Sequence, residues 1–219
     1  VGVKQELRNK LRSVRGVGVV SSMGFASSTI NSKSVSLLGI DPAAYQQVAS
    51  LTFQEGDSKT AFQEMAGGRV LIANGVLASQ LQLKVGDFVQ LATPRGMQSY
   101  RIAAVAGDYL NAKVMTAYIS QDNLQKDFRK SEDILYQLNI NPGADPVQVE
   151  ARLERMLEDY PQFNLVSGRK YFEDNKEIFN SIFVFYGVLL ALMSAPSLIA
   201  MLNTLSIGVI ERTREIGML

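Results

Sequence analysis

The sequence predicts an α+β domain followed by a long transmembrane α-helix. Three observations carry that reading. Strand-like and helix-like patterns intermingle through the first three quarters of the chain without a regular parallel βαβ rhythm. No charged side chain lies between Glu177 and Glu211, whereas a spanning helix needs only about 20 apolar residues. The 219 residues contain no Cys and no His, with 22 Lys+Arg against 21 Asp+Glu. Near-neutrality argues against nucleic acid as a partner. The absence of Cys and His removes thiol nucleophiles, the usual structural zinc sites and every His-based triad or base. No basic-then-apolar leader precedes the first helical pattern, and the reading is of an internal piece of a longer chain.

Element by element, Val3, Leu7, Leu11 and Val14 form a helical stripe that Gly16 ends. "VGVVSS" and Ser34–Ile40 read as strands. Asp41 caps a helix with Pro42 at its first position. "RVLIAN" is a strand and "GVLASQL" a short helix. A hairpin follows with its corner at Pro94–Arg95–Gly96, and Tyr100, Ile102 and Ala104 alternate on one face of its second strand. "VMTAYIS" and "ILYQLNI" are strands, the latter alternating Ile134, Tyr136, Leu138 and Ile140. Asp145 and Pro146 open a helix whose apolar stripe is Val149, Leu153, Met156 and Leu157. "FNLVS" is expected as a last strand. The domain boundaries expected are 1–168 for the α+β domain with an N-terminal stalk helix, 169–210 for the stalk and transmembrane helix, and 211–219 for the charged segment after it. A two-lobed division of the domain is left open.

Within the apolar run, Gly187, Ala191 and Ala195 recur every four residues on one helical face, a spacing that lets another helix approach closely in lipid. Ser194, Ser197, Asn203 and Thr204 carry hydrogen-bonding groups that prefer a protein neighbour to a lipid tail. Pro196 is expected to kink the helix or thin its hydrogen bonding. Arg212 and Arg214 follow the run, while the preceding "SGRKYFEDNKE" mixes Arg169, Lys170 and Lys176 with acids, so charge bias alone does not orient the span.

No catalytic constellation emerges. "EGDSKT" lacks the G-x-x-x-x-G-K-[ST] spacing of a phosphate loop and reads as a helix cap at Asp57 or Ser58. "AGGRV" reads as a turn. Asp87 and Asp108 each follow Gly at a strand end, where Asp is an ordinary turn residue. No cofactor and no metal is expected.

The closing stretch "NTLSIGVIERTREIGML" resembles the FtsX-like, MacB-like permeases of ABC transporters, in which a membrane helix ends in an E-R-x-R-E-I-G signature. Glu211, Arg212, Arg214, Glu215, Ile216 and Gly217 all fit it, with Asn203 and Leu205 upstream. "LLGIDPAAY" and "LASQLQLKVGDFVQL" resemble segments common in that family's extracytoplasmic domain. The Ser194–Ala195–Pro196 step departs from the family's plain small or aliphatic residues, and an interrupted helix is the alternative there.

Exposed i,i+3 pairs among Glu211, Arg212, Arg214 and Glu215 are worth only about 0.2–0.5 kcal/mol each. A docking surface, with charge on one side and Ile216 and Leu219 on the other, accounts better for their density. The resemblance implies the partner, a cytoplasmic ABC ATPase met by a coupling segment that starts here. It also implies a second permease copy or paralogue, membrane lipid, no ATP hydrolysis by this chain, and a domain outside the cytoplasm open to an adaptor or substrate protein. A membrane-anchored sensor ectodomain and an anchored adhesion domain share these features. The residues after Leu219 separate the three.

Overall fold

The computed structural model describes residues 2–107 and 114–218, leaving aside the side chains of 2–5, 172–175, 179, 211 and 215. Two compact units result, Val1–Phe163 and Asn164–Leu219.

The first unit is built on one mixed sheet. Helix α1 (Gly2–Ser13) leads into β1 (Val17–Ile30), then β2 (Lys33–Ile40), α2 (Pro42–Val48), β3 (Thr52–Glu55), α3 (Ser58–Gly67), β4 (Val70–Ala73) and α4 (Gly75–Leu81). There follow β5 (Phe88–Thr93), β6 (Gly96–Gly107), β7 (Thr116–Ser120), α5 (Gln121–Phe128), β8 (Asp133–Ile140) and α6 (Pro146–Leu157). The strand order is β3-β6-β4-β7-β2-β1-β8, with β5 also on β6. Among the described strands, only β2/β7 and β4/β6 pair in parallel. This is the expected α+β architecture. One sheet runs through the unit.

Local chemistry explains most boundaries. Asp41 accepts from the Ala43 and Ala44 amides, and Asp145 from Val147, each before a proline that suits the first helical position. Asp57 caps α3 through the Thr60 amide at 2.8 Å, so "EGDSKT" is a helix start. The β1–β2 hairpin turns on Asn31 and Ser32, both at positive φ (49° and 64°), the twist that two-residue hairpins favour. The β5–β6 corner lies at Pro94–Arg95, with Thr93 opposite Gly96.

The sheet separates two apolar layers. One gathers Leu37, Leu71, Leu91, Tyr100, Ile102, Ile119, Leu124 and Phe128. The other gathers Ile40, Tyr45, Phe62, Met65, Ile72, Ala104 and Tyr118. Against β1 and β2, α5 seats Leu124 where Gly24 and Gly39 leave room: a Cβ at either would stand 2.6 Å from Leu124 Cδ2.

Two expectations are corrected. Tyr100, Ile102 and Ala104 do not share a face. A bulge at Ala103, where Leu71 pairs with Ile102 but Ile72 with Ala104, sends Ala104 into the second layer. "FNLVS" forms no strand; Phe163 instead sets its ring edge-on to Tyr136 at 5.5 Å. Strand β8 is found as expected, at the sheet edge, where Ile134 is 56% exposed. Helix α1 packs on β1, with Leu7 and Leu11 buried.

The second unit is dominated by α7 (Gly168–Ile216), 49 residues that run through Pro196 without interruption. At 1.5 Å per residue it is roughly 74 Å long, against a hydrocarbon core of about 30 Å.

Candidate coupling segment and membrane helix

Helix α7 forms because its apolar run contains good helix formers and only one proline. Pro196 removes one donor and leaves the Leu192 carbonyl without its usual main-chain partner. Hydroxyls reinforce the helix on either side: Ser194 Oγ donates to the Leu190 carbonyl at 2.7 Å and Thr204 Oγ1 to that of Ala200 at 2.9 Å. The helix is long and apolar enough to cross a membrane, and none of its most apolar stretch is buried within the chain. Phe183 and Met193 are more than 70% exposed. A water-soluble protein rarely leaves such a surface open. Gly187, Ala191 and Ala195 lie on this exposed helix, and a Cβ at Gly187 would meet nothing within 4 Å.

The signature residues sit at the end of the same helix. Arg212 and Arg214 are exposed, Ile216 is 75% exposed and closes the helix, and the Gly217 amide donates to the Thr213 carbonyl at 3.1 Å. The Glu211 and Glu215 side chains and Leu219 lie outside the described residues. An apolar Ile216 thus follows two exposed guanidinium groups at the end of the helix.

No arrangement suited to catalysis appears among the described residues. No group of three or more His, Cys, Asp or Glu is placed to hold a metal. Asp87 closes a turn by accepting from the Lys84 amide at 2.8 Å. Asp108 lies outside the described residues.

Two polar nodes in the first unit escaped the sequence reading. Asp127, buried beneath the sheet's end, accepts from Arg69 Nε and Nη2, both at 2.8 Å, and from the Tyr100 hydroxyl at 2.7 Å. The Arg69 guanidinium holds the Asp127 carboxyl below the usual carboxylate range, with the Tyr100 bond acting the same way against burial. Burial, then Asp127, pushes the Tyr100 phenol up. In the second node Arg8 Nη2 donates to Ser22 Oγ and lies 3.3 Å from Asp133 Oδ2, and Gln121 Nε2 donates to Asp133 Oδ1. It joins α1, β1, α5 and β8. The partners are far apart in sequence, so no local spacing announces either node. Each ties distant elements of the domain together and reads as support for it.

The fold, so built, matches known proteins. The model of the MacB-like periplasmic core domain family matches residues 2–156. The chain belongs to this family. The resemblance to FtsX-like, MacB-like ABC transporter permeases is thereby borne out, and the described first unit is a MacB-like extracytoplasmic domain with a candidate transmembrane helix after it. The extracellular domain of the noncanonic ABC-type transporter YknZ from Gram-positive bacteria superposes with a TM-score of 0.56 at 20% identity, over 74% of this chain and 85% of that one. The periplasmic region of MacB from Actinobacillus actinomycetemcomitans does so with a TM-score of 0.52 at 14% identity, over 71% and 73%. At such identities these likenesses speak for the fold. No curated protein matches the sequence.

Proposed function

We propose that this chain is part of a permease subunit that couples ATP hydrolysis by a separate cytoplasmic ABC ATPase to movement of its MacB-like domain, for export or extraction of a substrate. The observation that carries the proposal is the continuity of α7: one uninterrupted helix joins the segment after the domain to Arg212, Arg214, Ile216 and the turn at Gly217. A rigid helix longer than the membrane is thick transmits displacement from one side to the other. Residues up to about 168 lie outside the cytoplasm, 169–210 form the stalk and span, and 211–219 begin the coupling segment. Glu211, Arg212, Arg214, Glu215, Ile216 and Gly217 present the ATPase-docking surface. The chain itself is non-catalytic. The permease is multi-pass in the inner cell membrane and works as a dimer of copies or paralogues, with an adaptor or substrate protein meeting the outer domain.

On α7 the Gly187, Ala191 and Ala195 face admits a neighbouring membrane helix. The docking proposal is tested by replacing Ile216 with Asp and measuring co-purification of the ATPase from native membranes. A carboxylate placed in an apolar contact is costly to bury, so binding falls while insertion stays normal. Wild-type binding by that variant contradicts the proposal.

A further inference from the structure

Between α3 and β4 the chain runs through Gly67 and Gly68 to Arg69. These residues, with Asp122, Asn123 and Lys126 of α5, line a cleft of ≈ 300 Å³ in the first unit, at the low end of the range for small-molecule sites. The Asn123 side chain ties the two walls together by donating to the Gly68 carbonyl at 2.7 Å.

The charged groups of the cleft are incompletely used. Arg69 donates to Asp127 through Nε and Nη2, both at 2.8 Å, and Tyr100 holds Asp127 in place. A guanidinium is a planar fork of N–H donors with more than one usable edge. The edge made by Nη1 and the second Nη2 hydrogen has no acceptor among the described residues, and the side chain is 48% exposed. The fork is thus fixed from behind and open in front, in the geometry that receives a carboxylate. Asp122 and Lys126 stand one turn apart on α5, in the order that favours pairing. Among the described residues neither has an ion-pair partner. Gly67 keeps its wall low: a Cβ built there would meet nothing within 4 Å.

Charge selects the ligand. With Arg69 balanced by Asp127, the cleft offers one further cation and one anion. A phosphate monoester would bring excess negative charge against Asp122. A molecule with one carboxylate and one ammonium close together matches both signs. We propose that this cleft binds a small α-amino acid as its zwitterion, the carboxylate on the free edge of Arg69 and on Lys126, the ammonium on Asp122. None of these residues belongs to the proposed ATPase-docking surface, so the two readings stand or fall separately.

Isothermal titration calorimetry of the detergent-solubilised protein tests it, with alanine, lactate, propionate and inorganic phosphate as probes at one low ionic strength. Alanine is expected to bind more tightly than lactate, and lactate more tightly than propionate, because the ammonium, the hydroxyl and nothing, in turn, face Asp122. Lys126→Ala and Asp122→Asn should each weaken alanine binding about 2- to 5-fold, the range for one exposed ion pair, and Asp122→Asn should leave propionate unaffected. Gly67→Leu should abolish binding by filling the cleft, with thermal unfolding showing an intact fold. No binding of alanine, equal binding of alanine and propionate, tighter binding of phosphate than of alanine, or undiminished alanine binding by Asp122→Asn would each overturn the proposal.

Discussion

Replacing Asp127 with Ala removes the acceptor of three hydrogen bonds, two from Arg69 at 2.8 Å and one from Tyr100 at 2.7 Å. The consequences for the two donors differ. The Arg69 side chain is 48% exposed and returns largely to water, so the full penalty of a stranded buried charge does not apply. Tyr100 is fully buried, and its hydroxyl is left without an acceptor, which costs about 1–3 kcal/mol. With the lost charge-assisted bonds the total is about 3 kcal/mol, at the low end for breaking a buried pair.

For a unit of this size that loss is about 6–12 °C in Tm, readable by thermal unfolding of the detergent-solubilised protein. The pH dependence follows from the lowered folded pKa of Asp127. A carboxyl whose folded pKa lies below its unfolded one contributes stability fully above the unfolded value, and that contribution is lost as pH falls through the folded value. Wild type therefore loses stability at acid pH more steeply than Asp127→Asn. A Tm for Asp127→Ala within about 1 °C of wild type, or identical acid limbs for wild type and Asp127→Asn, would refute the assignment.

Gly39→Val should destabilise the domain by about 1–3 kcal/mol, because the added carbons meet Leu124 Cδ2 and Cβ at under 3 Å; chemical denaturation reads it, and Leu124→Ala in the same chain should recover part of the loss. Ala191→Leu should impair assembly or ATPase stimulation more than Leu190→Ala, since bulk at a small-residue face separates helices; equal activity of the two places that face against lipid. A cysteine at Gly143 should react with an impermeant thiol reagent from outside intact cells while one at Arg214 does not, and labelling of the latter reverses the proposed orientation.

Much of this architecture is legible because short-range chemistry decides it. Asp41–Pro42 and Asp145–Pro146 announce helix starts through caps that act within three residues. The corner at Pro94–Arg95 and the uncharged run before Glu211 are equally local. What stayed hidden depends on distant partners. Strand β1 continues to Ile30, past its expected end at Ser22, because β2 folds back on it through Asn31 and Ser32. "QDNLQKDF" becomes α5 on the strength of a Ser120 cap and a seat for Leu124 between two glycines. "FNLVS" has the composition of a strand, yet Phe163 engages Tyr136 through its ring and the segment pairs with no strand. The bulge at Ala103 breaks an alternation that is regular in the letters. The Arg69–Asp127 and Arg8–Asp133 nodes join residues 58 and 125 positions apart, beyond any spacing rule. The proposed docking surface rests on sequence alone, since its six residues all lie between Glu211 and Gly217.

The central claim is that the helix end docks on an ATPase and conveys its cycle outward. The direct measurement is ATP hydrolysis by the partner ATPase in the presence of wild-type, Glu215→Lys and Ile216→Asp protein, at matched levels of membrane insertion. The account predicts reduced stimulation and weaker co-purification for both variants, with the larger loss for Ile216→Asp, whose new carboxylate would have to be buried in an apolar contact. Variants that insert normally and still bind and stimulate the ATPase at wild-type levels would show that the segment is only an anchor.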